Sequence, residues 1–113
     1  MAISYIQFMP ATVLTTVVST LFTLPTLPAS TLLRGGRIRL TNTTGTAVTA
    51  TLYAVPLAGT AAAGNVFYPG KSIPANDFID VDMPLIGPGG FVQALAGAAT
   101  SITAHMISGS LFS

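Results

Sequence analysis

The sequence predicts an all-β fold: one antiparallel β-sandwich domain of about eight strands spanning residues 1–113. Short runs rich in β-branched and aromatic residues recur at about 8–12-residue spacing. Gly, Pro, Asn and Asp separate these runs. No stretch repeats apolar residues at i, i+3, i+4 and i+7 over the length of a helix. Two packed sheets fit this pattern, and both a jelly-roll and an immunoglobulin-like topology remain open.

The first two predicted strands, 3–8 and 12–24, carry no charge. Residues 1–10 are a candidate N-terminal arm. The second run is mostly Thr and Val, whose branched Cβ atoms suit a pleated sheet better than a helix. It ends at a turn containing Pro25 and Pro28. Because these prolines interrupt the apolar segment and no Lys or Arg precedes Arg34, we expect neither a membrane-spanning helix nor a signal peptide.

The next two strands alternate strictly. In 37–43, Ile38 and Leu40 face one side, whereas the arginines face the other. In 47–55, Val, Ala and Leu alternate with Thr and Tyr, which is typical of a half-buried antiparallel strand. Asn42-Thr43-Thr44-Gly45 between them predicts a hairpin turn, with Gly45 free to adopt a positive φ.

The C-terminal half continues with short strands. Residues 66–68 and 71–73 form one or two strands around Pro69-Gly70, after a loop at 57–65. Three further strands are predicted, at 78–81, 91–95 and 101–112. A sharp turn containing Pro88 precedes the second of these, and a Gly-Ala segment joins the last two.

The composition excludes several classes of protein. Half of the residues are hydrophobic, 6% are charged and the mean hydropathy is +0.72, whereas soluble domains carry about 25% charged residues. Intrinsic disorder is excluded, since it requires high charge and low hydrophobicity. Four Lys and Arg against three Asp exclude a strongly acidic or basic mode of action. With no cysteine there is no disulfide, thiol nucleophile or thiolate metal site.

Catalytic and metal-binding patterns are sparse. His105 is the single histidine, and without Cys or Glu it favours a structural or surface role. Asp77, Asp80 and Asp82 cluster, but their spacing does not match a calcium-binding loop. We interpret Asp77 as a turn former and the other two as a solvated strand face. We therefore expect no catalytic, cofactor-binding or metal-ligating residue, and no enzyme activity.

The basic residues are also few. Arg34, Arg37 and Arg39 form a small cluster, but a pI near 8.2 with four cations is too weak for nucleic-acid binding. Such arginines more often guard a sheet edge or pair with the carboxylates of a partner. The glycine-rich segment 87–90 does not match a phosphate-binding loop. Asn42-Thr43-Thr44 matches the glycosylation pattern, although nothing in the sequence indicates secretion.

So few charges predict an exterior of Thr, Ser, Ala, Gly and exposed apolar side chains. Such a surface favours contact with other chains over exposure to water. The candidate interface residues are Ile3, Tyr5, Arg34, Arg37, Arg39, Phe67 and Tyr68. The alternative for the aromatic members is core filling, which we favour for Phe8, Phe22, Phe78 and Phe91.

Four segments, 23–25, 37–45, 48–56 and 107–109, resemble small bacteriophage virion structural proteins. The resemblance implies a non-enzymatic β-sandwich present in many copies in a phage head or tail. It favours a capsid decoration (cement) protein in the head. Its partners would then be further copies of itself and the major capsid protein, without cofactor, nucleic acid, membrane or small-molecule substrate. A tail, baseplate or fibre component is the alternative, followed by a free small-molecule-binding sandwich or enzyme.

Overall fold

The structure, a computed structural model, describes residues 3–4, 9, 11–26 and 32–112. These residues contain nine β-strands and a short 3-10 turn at Ala63–Asn65. The strands are β1 (Ile3–Ser4), β2 (Thr12–Val13), β3 (Ser19–Thr23), β4 (Leu32–Asn42), β5 (Val48–Val55), β6 (Val66–Ile73), β7 (Phe78–Asp82), β8 (Phe91–Ala96) and β9 (Ile102–Phe112). Within the described ranges, no helix is long and apolar enough to cross a membrane.

The strands form two antiparallel sheets. One has the order β1–β9–β4–β7 with β2 also paired to β9, and the other has the order β3–β8–β5–β6. Four antiparallel pairs are nested in the chain: β5 with β6, β4 with β7, β3 with β8 and β2 with β9. A long hairpin of nested pairs wrapped into two sheets is a jelly roll. The predicted β-sandwich is confirmed, and strand order selects the jelly roll from the two open topologies.

The core lies between the sheets and follows the predicted alternation. Ile38 and Leu40 of β4 are fully buried, as are Ala50 and Leu52 of β5 and Val92 of β8. Fully burying an aliphatic side chain of this size contributes about 1.5–3 kcal/mol. One face of each central strand therefore supplies the core, and the opposite face remains on the exterior.

The predicted hairpin at 42–45 is wrong, because β4 and β5 belong to different sheets. Asn42 is fully buried at this crossing. Its Nδ2 donates to the carbonyl oxygens of Thr46 at 2.8 Å and Ile73 at 3.0 Å. Its Oδ1 accepts from the Thr44 N–H at 2.9 Å and the Thr44 hydroxyl at 2.7 Å. With its two donors and two acceptor sites engaged, the amide holds the corner and is inaccessible for glycosylation.

One other predicted boundary differs from the structure, and one open alternative is decided by it. The run 12–24 is two strands in different sheets, because the chain bends at Thr16–Val17. Conversely, 66–73 is one strand, in which Pro69-Gly70 forms a bulge opposite Thr51 and Gly70 has a φ of +46°. Most of the candidate arm, 1–10, lies outside the described residues. Of the arm, β1 pairs with the end of β9 and Met9 is buried.

The connections between strands gather at two opposite ends of the sandwich. At one end, which we call the Asn42 end, the Thr43 N–H donates to the carbonyl oxygen of Ser101. At the other, the Ile86 end, the Leu24 N–H donates to the carbonyl oxygen of Gly90 and the Leu33 N–H to that of Ile86. From β2 onward, successive strands run in opposite directions, so the connections between them alternate between the two ends.

Candidate assembly surfaces

Most of the charge lies on one sheet. Six of the seven charged residues are on or beside β4 and β7: Arg34, Arg37 and Arg39, Asp80 and Asp82, and Asp77 just before β7. The register places Arg37 opposite Asp82 and Arg39 opposite Asp80. This antiparallel pairing brings an alternating run of arginines against an alternating run of aspartates on the outer face of the sheet.

These residues form two ion pairs, here called the β4–β7 ion pairs. The Nε of Arg37 lies 2.8 Å from Oδ1 of Asp82. Arg39 binds Asp80 with two hydrogen bonds, Nε to Oδ1 at 2.8 Å and Nη2 to Oδ2 at 3.1 Å. Since both pairs are solvent-exposed, they neutralise this face more than they stabilise the fold. The carboxylates that meet Arg37 and Arg39 therefore belong to the same chain, and Asp80 and Asp82 are not simply a solvated face.

The pairing shifts the pKa values of Asp80, Arg37 and Arg39. The hydrogen bond from Arg39 holds the pKa of Asp80 below its usual value. The hydrogen bonds to Asp82 and Asp80 raise the pKa of Arg37 and Arg39, respectively. Each of these three shifts favours the charged form of its group.

Phe78, predicted in the core, is instead 49% exposed at the start of β7. The guanidinium carbon of Arg39 lies 4.2 Å from the centroid of its ring. This cation–π contact covers one face of the ring. Phe22 is buried as expected and Phe91 is half-buried, whereas Phe8 lies outside the described residues.

The outer face of the β3–β8–β5–β6 sheet is uncharged. Its outward positions alternate with the buried ones and carry Thr20, Thr49, Thr51, Tyr53, Ser72, Gln93 and Leu95. We call this set the neutral face. Gln93 donates to the Thr20 hydroxyl at 3.1 Å across it. Lys71, the one charged residue of this sheet, lies on edge strand β6 opposite the buried Ala50, where it discourages further strand pairing.

The aromatic and N-terminal interface candidates fall in different places. Tyr68 is 6% exposed and fills the core, and its burial raises the pKa of the phenol. Phe67 is half-buried against the same core. The backbone of Ile3 pairs with that of Phe112, while the Ile3 side chain and Tyr5 lie outside the described part of the chain. Tyr68 therefore offers little surface to a partner.

The remaining candidates lie on the ion-paired sheet. Arg34 is exposed on β4 opposite Ser110, on the same strand as Arg37 and Arg39. His105 is exposed on β9 opposite Arg39. Its register neighbour is thus a cation and not a carboxylate that would orient it as a general base. Within the residues that the structure describes, no three His, Cys, Asp or Glu side chains gather in one group.

The β4–β7 ion pairs were not predicted, although the sequence contains a signal for them. Arg37 and Arg39 repeat with a period of two, as do Asp80 and Asp82. Two strands with the same period and opposite charges match whenever they pair in register. Strand order was the missing information, since periodicity does not say which strands are neighbours.

The fold is similar to that of a known viral structure. A chain from the structure of infectious bursal disease virus Gx strain superposes with a TM-score of 0.54 at 18% sequence identity. The match covers 97% of this chain and 31% of that one, so this chain spans about a third of its length. No family model and no curated protein matches the sequence. At this identity the likeness shows the fold.

Proposed function

We propose that the protein is a non-enzymatic virion structural protein, specifically a capsid decoration (cement) protein of a phage head. The observation that carries the proposal is the distribution of charge on the jelly roll. One sheet neutralises its own charges in pairs, and the outer face of the other has none. The fold likeness to a chain of a virus particle supports a place in a virion.

Physical chemistry favours the neutral face as the surface that meets the head lattice. Charged groups are expensive to desolvate, whereas Thr, Tyr, Gln and Leu side chains are removed from water at little cost once they are hydrogen-bonded or packed. Interface centres are correspondingly depleted in charge and enriched in aromatic residues such as Tyr53. The neutral face would then cover lattice subunits, with the β4–β7 ion pairs directed to solvent.

Purified particles test this proposal. Quantitative mass spectrometry should detect the chain in virions, at a copy number comparable with that of the lattice protein. A copy number far below it would indicate the tail, baseplate or fibre, and complete absence would contradict a virion role.

A matched pair of variants tests the surface. Thr51 and Thr41 are both half-buried, outward-facing threonines on central strands, Thr51 on the neutral face and Thr41 on the ion-paired sheet. We expect Thr51→Lys to lower incorporation into particles about tenfold or more, because an unpaired charge would be buried. Thr41→Lys should incorporate like the wild type. Equal incorporation of both variants would exclude the neutral face as the lattice contact.

A further inference from the structure

The Ile86 end carries an apolar groove. The end of β5 and the β5–β6 loop form one wall, and the β7–β8 loop forms the other. The groove has a volume of about 180 Å³ and is lined by Ala54, Val55, Pro56, Leu57, Leu85, Ile86, Gly87, Pro88 and Gly90. Neither loop contains a charged residue between positions 55 and 62 or between 83 and 90. An occupant of this groove must therefore be apolar and uncharged.

The walls of the groove are fixed by the backbone. Gly89 has a φ of +72° and donates its N–H to the carbonyl oxygen of Pro25 at 3.1 Å. A Cβ at this glycine would lie 2.7 Å from Cδ1 of Leu57, so the leucine packs directly over the glycine backbone. Ile86 is buried and bridges to Leu33 of β4. The groove is thus a preformed feature of the fold.

Two leucines project from its rims. Leu57 is 61% exposed and Leu85 is 66% exposed. Leaving such side chains in water forgoes the favourable removal of their apolar surface from solvent. A pair of exposed leucines around an apolar recess marks a binding surface.

The opposite end presents a complementary side chain. Val17, in the loop between β2 and β3, is 71% exposed, the highest value among the large apolar side chains of the described residues. The Thr15 hydroxyl donates to the carbonyl oxygen of Val17 at 2.7 Å, and the carbonyl oxygen of Thr15 accepts the Ala96 N–H at 2.9 Å. This loop is therefore held against β8, and residues 14–18 carry no charge.

We propose that Val17 of one copy packs into the groove between Leu57 and Leu85 of the next copy. A contact between two different patches of the same chain is heterologous, and it produces a ring if it closes or a filament if it does not. The shorter extents of the molecule, 26 and 17 Å, give a cross-section smaller than the about 800 Å² per partner of a stable pair. Each such contact is consequently weak, so association requires a high concentration of the chain. This inference rests on the proposed function, since it names the self-contact of that assembly.

Sedimentation of the full chain tests the contact. The wild type should associate as its concentration rises towards millimolar. Val17→Lys and Leu85→Lys should each raise the concentration for half-association about tenfold or more, because burial of one such side chain is worth that much. Ile107→Lys is the matched control, since Ile107 is 41% exposed but lies midway along β9, away from both ends of the sandwich. Circular dichroism should show that all three variants fold, as expected for exposed positions.

Mixing the two variants identifies the heterologous geometry. The Val17→Lys copy retains an intact groove, and the Leu85→Lys copy retains an intact valine. An equal mixture should therefore form one-to-one pairs and nothing larger. If Leu85→Lys weakens self-association and Val17→Lys does not, the groove has another occupant and the proposal is overturned. A wild type that stays monomeric would also overturn it, while leaving incorporation into particles as a separate test of the proposed function.

The absence of cysteine allows a covalent version of the experiment. A Val17→Cys/Leu85→Cys double variant should give a ladder of disulfide-linked multimers on mild oxidation. The two positions lie at opposite ends of one molecule, so they cannot be bridged within a chain. Each single-cysteine variant should stop at a dimer or below. A double variant that gives no ladder beyond the dimer would contradict the contact.

Discussion

The two sheets of the jelly roll share one core and differ in their exteriors. The β1–β9–β4–β7 sheet carries five charged residues on its strands, and four of these form the β4–β7 ion pairs. The β3–β8–β5–β6 sheet carries only Lys71, which lies on an edge strand. Burial is equally complete beneath both, as Leu40 and Leu52 illustrate at 0% exposure. The difference between the sheets therefore concerns what each meets outside the molecule.

The large side chains on the outer faces of the two sheets also differ in their surroundings. Phe78 is a large, exposed apolar residue on the ion-paired sheet, but an arginine covers one face of its ring. On the neutral face, Tyr53 and Leu95 are half-buried among threonines and a glutamine. The ion-paired sheet thus pairs charged side chains with one another, whereas the neutral face carries uncharged polar side chains that form hydrogen bonds. We interpret the second exterior as the one that another protein covers.

The largest effect is expected where the chain crosses between the sheets. Asn42→Ala removes the amide that bonds Thr44, Thr46 and Ile73, and it deprives the buried carbonyl oxygen of Ile73 of this donor. We expect a loss of roughly 2–4 kcal/mol in the free energy of unfolding, measured by urea denaturation. Asn65→Ala is the control, because Asn65 also makes two amide hydrogen bonds but in an exposed loop. It should lose less than about 1 kcal/mol. An equal loss of unfolding free energy in the two variants would contradict a stabilising role for Asn42 at this crossing.

A smaller effect is expected from the ion-paired sheet. The pKa of Asp80 lies below the 3.8 of an unpaired carboxyl, so its pairing stabilises the fold fully above that pH. The contribution is lost as the pH falls through the lower, folded value. Asp80→Asn should lower the Tm slightly at neutral pH and not at all in strong acid. Asp77→Asn, outside the ion pairs, is the control. A Tm difference for Asp80→Asn that persists unchanged into strong acid would contradict the pairing.

Much of the fold was accessible from the sequence because alternation depends on neighbouring residues. The period of two alone places Ile38 and Leu40 in the core and the alternating Arg37 and Arg39 outside it. The crossing at Asn42 was not predicted, since a corner between sheets and a hairpin use the same turn residues. The exposure of Phe78, by contrast, was open to the same reasoning. Phe78 shares one face of β7 with Asp80 and Asp82, whereas Ile79 and Val81 lie on the other face.

The candidate surfaces were less accessible than the strands. Low charge correctly indicated an exterior poor in ionised groups, but it did not say where the few charges would gather. The groove at the Ile86 end arises from loops 55–62 and 83–90, which are distant in sequence. Nothing in the local sequence distinguishes Leu57 and Leu85 from other loop leucines, because it is the strand order that places their two loops side by side. Contacts of this range are set by topology, and periodicity leaves topology open.

The central claim is that the neutral face is covered in the assembled particle and the ion-paired face is not. Hydroxyl-radical footprinting of the free chain and of purified particles measures this directly, side chain by side chain. Tyr53 and Leu95 should become protected on assembly, whereas Phe78 should react equally in both states. Protection of Phe78 with continued reactivity of Tyr53, or no change on either sheet, would contradict the claim.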